Sequence, residues 1–225
     1  MNQDINIEQI KRYFSQKLET FGTTPQGADW NSQASQYLRF NQLINVCDTT
    51  QEFSILDYGC GYGALVDYLL MCGHRFKYIG FDIVEEMVVQ ARQVFQDKSF
   101  CSFTSQLTEI QPTDYVVESG IFNLRLDTSE EMWRSHVIQT LEKMNTLSRK
   151  GFAFNLLTSY SDPEYMKPHL YYADPNYYFD YCKRNFSKNV ALLHDYNLYD
   201  FTILVRKAAE QDKNVDHNNS TTSAH

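Results

Sequence analysis

The densest chemistry in the sequence is the turn Asp57-Tyr58-Gly59-Cys60-Gly61-Tyr62-Gly63, which follows the apolar run Phe53 to Leu56. Glycine leaves no Cβ between backbone and ligand and tolerates positive φ, so three glycines at alternate positions after a strand suit a backbone laid against a small molecule. Gly59, Gly61 and Ala64 also satisfy the G-x-G-x-x-A pattern of dinucleotide sites. Charge separates the two readings. Asp57 stands two residues before the first glycine, where a carboxylate repels a pyrophosphate and attracts an ammonium or a sulfonium. Asp82 closes the next strand, about twenty residues on, where an acid can accept hydrogen bonds from both hydroxyls of a ribose. The predicted ligand is a nucleoside bearing a positive charge.

The elements that must position this turn can be read around it. Ile7, Ile10, Phe14, Leu18 and Phe21 recur at helical spacing and predict an amphipathic helix ending at Gly22. A second helix, capped by Asn31-Ser32, carries Leu38, Leu43 and Val46. From Phe53 short apolar strands alternate with helices: strands at 53–57, 78–82, 100–103, 115–118 and 152–156, helices at 63–72, 84–96 and 130–147. Such alternation predicts a doubly wound, mostly parallel α/β sheet covered on both faces. Val190 to His194 and Phe201 to Val205 are joined by a short turn and predict an antiparallel hairpin closing the sheet. The organisation expected is an N-terminal helical cap (1–52), a ligand-binding domain (53–207) and a polar, disordered tail (208–225).

Composition narrows the partners. A formal charge of −8 and a pI near 5.2 repel polyanions, which disfavours nucleic acid and anionic membranes. No apolar run approaches a membrane span and the first residues lack a basic signal-peptide flank, so a cytoplasmic location is expected. The five cysteines show no CxxC or zinc spacing, and no metal is expected. The 16 tyrosines and 15 phenylalanines exceed the needs of a core this size and point to a partly wet aromatic pocket.

On these residues the stretch from Phe53 to Lys207 resembles the class I S-adenosylmethionine-dependent methyltransferases. The resemblance implies a Rossmann-like, seven-stranded sheet ending in the hairpin. It implies that Asp57, Gly59, Gly61 and Gly63 contact the methionine part of the cofactor, that Asp82 holds the ribose, and that Ile83 packs on the adenine, with Met87 a further candidate cofactor contact. Thr104-Ser105-Gln106 stands where the family often has an acid-containing turn, which makes Ser105 a candidate for the adenine amine. Asp29-Trp30-Asn31-Ser32, Arg39-Phe40, Ser119-Gly120-Ile121-Phe122-Asn123 and Asn155 to Tyr160 are similar to small stand-alone bacterial methyltransferases. Glu118, Ser119 and Gly120 join the expected cofactor set. So do Tyr13, Trp30 and Arg39 from the cap, with Arg39 pairing the methionine carboxylate.

Methyl transfer from a sulfonium is an in-line displacement in which alignment of the acceptor does most of the work. The fourth strand lacks the Asp/Asn-Pro-Pro-aromatic stretch of enzymes that methylate nucleic-acid bases. A small polar metabolite methylated on oxygen or nitrogen is the expected acceptor. The tyrosine-rich segment 158–186 is expected to be its lid, with Tyr171 and Tyr172 aimed inward by the turn Tyr-Tyr-Ala-Asp-Pro. Asn123 and Asn155 offer amides at the ligand end of the sheet, and His194 beside Asp195 offers a proton acceptor. Tyr171, Tyr172, Asn155 and His194 are therefore the candidate catalytic residues. Two rival chemistries share the cleft: intramolecular attack on the sulfonium with release of methylthioadenosine, and cofactor binding without turnover.

Overall fold

The computed structural model of the chain describes residues 5–208. The expected disordered tail and the extreme N-terminus lie outside the described residues, apart from Ala208. Helix α1 (Ile7–Phe21) is capped by the Asn6 side chain, which accepts from the Gln9 N–H at 3.0 Å, and stops at Gly22, whose φ is 66°. Helix α2 (Gln33–Ile44) begins where the Ser32 hydroxyl accepts from the Ser35 N–H.

The sheet runs β3 (Cys101–Thr104), β2 (Phe76–Phe81), β1 (Phe53–Tyr58), β4 (Thr113–Glu118), β5 (Ser148–Thr158), β8 (Asp200–Arg206), β7 (Asn189–Leu193). The first five are parallel, and β8 lies antiparallel to both β5 and β7. This is the mostly parallel sheet with its terminal hairpin that the sequence predicts. One strand was not foreseen. Because β4 ends at Glu118, opposite Phe154, the edge of β5 at Leu157 and Thr158 is open, and the two-residue β6 (Tyr172–Ala173) pairs there in parallel.

Alternation along the strands sends side chains to opposite faces and builds two cores. Ile55, Tyr78, Val117 and Leu204 meet α2, α3 (Ala64–Met71) and α4 (Glu85–Val94) on one face. Leu56, Phe81, Val116, Phe154 and Ile203 meet α5 (Glu130–Leu147) and α6 (Pro175–Asn185) on the other. No helix among the described residues is long and apolar enough to cross a membrane.

Two expectations need correction. The tyrosine-rich segment does not form a single lid, since its second half is α6, packed against β7 and β8. The Asp174 carboxylate caps that helix by accepting from the Asn176 N–H, Pro175 takes its first position, and Tyr178 and Cys182 face the core at a spacing of four. The N-terminal region also divides. Helix α2 is core, with Phe40, Leu43 and Ile44 buried, whereas α1 buries none of its residues.

Candidate functional site

The strand order reverses between β1 and β4, and the cleft opens at the carboxyl ends of β1, β2 and β4, as expected for a doubly wound sheet. It encloses a cavity of about 400 Å³. Asp57, Gly59, Gly61, Asp82, Ile83, Met87, Ser119 and Gly120 line it from the strand ends and the segments that follow them, and Tyr13, Trp30, Gln36 and Arg39 from the N-terminal helices and their connection.

The glycine turn is sewn to the adjacent strand. The Gly59 and Cys60 N–H groups both donate to the Phe81 carbonyl, at 2.7 and 2.9 Å. Gly59 has a φ of 91°, and a Cβ there would stand 2.2 Å from Ile121 Cγ2, so a side chain is excluded by both conformation and space. Asp82 accepts from the Gly61 N–H through one oxygen (2.8 Å) and from the Val84 N–H through the other (2.9 Å). One carboxylate thereby fixes the turn and the start of α4. Each oxygen can accept one further hydrogen bond, and Asp82 lines the cavity.

The electrostatics of this end are unbalanced. Asp57 is 4% exposed; it accepts from the Tyr78 hydroxyl at 2.7 Å. Burial pushes its pKa up to about 7, against the lowering effect of that hydrogen bond and with a further upward push from Asp82. Asp82 rises to about 6, because burial outweighs its two backbone donors. Among the described residues neither acid has an ion-pair partner. Two buried carboxylates on one cavity, neither paired with a cation, suit a ligand that brings positive charge and hydroxyls.

A family profile described as a methyltransferase domain matches residues 55–151. Rv1506c of Mycobacterium tuberculosis (strain ATCC 25618 / H37Rv), whose curated name makes it a methyltransferase by inference, is 50% identical over 168 residues, covering 75% of this chain and 99% of that protein. The chain belongs to the class I S-adenosylmethionine-dependent methyltransferases. Solved methyltransferases share its fold at low identity. Magnesium protoporphyrin IX methyltransferase from Synechocystis PCC 6803, with bound SAH, aligns at a TM-score of 0.59 and 14% identity over 90% of this chain and 100% of its own. The 1,6-didemethyltoxoflavin-N1-methyltransferase of Burkholderia thailandensis aligns at 0.61 and 15% identity over 90% and 89%.

Within this methyltransferase, several predicted residues hold the cleft together without facing it. Glu118 is fully buried; it accepts from the Ile121 N–H at 2.7 Å, and burial, with Asp57 nearby, pushes its pKa well up. It shapes the loop 119–122 and does not line the cavity. Asn155, also fully buried, accepts from the Gly120 N–H at 3.1 Å and donates to Ser119 Oγ at 3.4 Å. A catalytic role gives way to holding Ser119 and Gly120. Gly63 is the N-cap of α3, and a Cβ there would strike Phe95 and Phe103, so this third glycine serves packing. The Ser105 hydroxyl donates to Glu85 on the exposed surface.

The remaining catalytic candidates lie elsewhere. Tyr171 is buried with its hydroxyl 3.0 Å from that of Tyr178, a core pair. Tyr172 turns its hydroxyl to accept from the Lys167 N–H at 2.9 Å. His194 packs beyond β8, between the rings of Tyr160 and Phe201. None of the three lines the cavity.

Arg39 lines the cleft but is committed. Its Nε and Nη2 donate to the two oxygens of buried Asp200 at 3.1 and 2.5 Å, and Nη1 donates to the Ser35 carbonyl. Its guanidinium lies 4.5 Å from the Trp30 ring centroid. Trp30 covers Gly120, where a Cβ would come within 2.6 Å of the indole. Arg39 therefore supports a wall, which corrects its expected pairing with a carboxylate. Tyr13 donates to Asp29 at 2.7 Å, and Lys17 bonds the other Asp29 oxygen at 2.7 Å, which ties α1 to the α1–α2 connection.

Sequence reading missed Gln36, Lys167 and His169, all of which line the cavity. Gln36 was within reach of it, standing one helical turn before Arg39 and Phe40 on the same face of α2.

Proposed function

We propose that this cleft binds S-adenosylmethionine with its methionine end at Asp57, Gly59 and Gly61 and its adenosine along Asp82, Ile83 and Met87, and that the methyl group passes to an oxygen or nitrogen of a small polar metabolite. The observation that carries the reading is the pair of buried, uncompensated carboxylates on one cavity at the glycine turn. When bound, the cofactor supplies a methyl group already activated on a positively charged sulfur. The chain's own residues do the rest. Ionised Asp57 supplies negative potential where the ligand is positive, and the free lone pairs of Asp82 accept from ribose hydroxyls. Gly59 admits close backbone approach, while Ile83 and Met87 give the base an apolar surface. Trp30, Ile121 and the segment with Lys167 and His169 bound the space left for an acceptor.

An enclosed site supports catalysis by alignment of the acceptor, and His136 and His169 also line it. The bound small molecule and S-adenosylhomocysteine in the Burkholderia neighbour support an acceptor of modest size. The net charge of −8 supports a metabolite over a nucleic acid. Mass spectrometry of the protein incubated with S-adenosylmethionine and a metabolite panel tests the reading. We expect S-adenosylhomocysteine together with a product heavier by one methylene unit. Release of methylthioadenosine, or tight binding with no turnover across the panel, would overturn the methyl-transfer assignment.

A further inference from the structure

Gln36 is 3% exposed, lines the cleft, and its Oε1 is a buried acceptor that receives no hydrogen bond. A buried polar atom left unpaired is disfavoured unless something completes it. Its surroundings say what can. Gln36 lies on the cavity-facing side of α2 with Arg39 and Phe40, and its amide approaches the hydroxyl of Tyr62 on the glycine turn. Tyr62 belongs to the turn that follows Asp57, and Gln36 and Asp57 line the same cavity. An unpaired amide oxygen in a cavity also lined by a buried carboxylate calls for a donor, and a positively charged one suits both groups. An acceptor oxygen does not suit a ligand carboxylate, and Arg39, on the same side of α2, is held by Asp200.

We infer that the Gln36 amide oxygen accepts a hydrogen bond from the α-ammonium of the cofactor's methionine tail, making Gln36 a residue that discriminates amino-acid-bearing adenosyl ligands from truncated ones. The inference rests on the cofactor assignment above, and it adds a side chain from α2 to a site otherwise built at the strand ends.

Calorimetric titration with three probes tests it: S-adenosylhomocysteine, its analogue lacking the amino group, and its analogue lacking the carboxylate. Gln36→Leu should weaken S-adenosylhomocysteine and the decarboxylated analogue by about tenfold, as for a lost hydrogen bond to a charged group, and leave the deaminated analogue unchanged. In the wild-type protein the Gln36 side-chain amide resonance should shift with the first two ligands and stay put with the deaminated one. This second readout needs no variant to fold. Equal weakening of all three ligands, no weakening of any, or an amide resonance indifferent to the amino group would overturn the inference while leaving the cofactor assignment intact. Failure of wild-type protein to bind S-adenosylhomocysteine would instead remove both.

Discussion

Asp57 is placed for binding at the expense of the free protein. Its pKa near 7 stands well above the 3.8 of an ordinary aspartate, so the folded, ligand-free chain holds a proton that the unfolded chain has already lost. Stability of the free protein should therefore fall as pH rises from about 4 to about 7, and stay low above that. Asp57→Asn should raise the free protein's stability at pH 8 by about 1–2 kcal/mol, measured by denaturant unfolding, because the amide needs no charge in a dry site. Binding follows the opposite sign. A cationic ligand requires the ionised form, so affinity should drop below pH 7 by up to about tenfold per unit, with proton release on binding visible as buffer-dependent heat. At the same scale, Tyr171→Phe and His194→Ala should leave kcat/KM within about twofold of wild type, since both side chains are occupied away from the cavity; a loss of two orders of magnitude would restore them as catalytic residues.

At the level of elements, the wall formed by Arg39, Trp30 and Gly120 links α2, the α1–α2 connection, the β4 loop and β8. Arg39→Met should cost about 3 kcal/mol in an unfolding experiment, because it strands Asp200, whose pKa burial already pushes up even with the arginine in place. Helix α1 presents Ile7, Ile10 and Phe14 to the cavity and buries none of its residues. Cofactor binding should therefore slow hydrogen exchange along α1 more than along α5. What the sequence made legible followed from local periodicity. The glycine turn, Asp82 and the span of α5 could be read because strand, turn and helix signals agree within a few neighbours. Helix α6 was misread because its inward residues are Tyr178 and Cys182, and tyrosines with polar tips look like a pocket lining until the Asp174-Pro175 helix start is given its weight. The Arg39–Asp200 pair spans 161 residues and has no local signature. Asn155 and Glu118 were correctly placed at the ligand end of the sheet, yet whether a strand-end polar group faces ligand or loop depends on backbone donors that meet only in three dimensions.

For the whole molecule, a chain bearing net negative charge concentrates buried acids at the one place where a doubly wound sheet admits a ligand, and the remaining fold holds them there. The most direct test is calorimetric titration of S-adenosylmethionine into the wild-type protein and into Asp57→Asn at pH 8. The account predicts micromolar binding by the wild type and a loss of at least about tenfold in a variant that is folded and no less stable. Equal affinity in the two proteins, or no binding by the wild type, would contradict it.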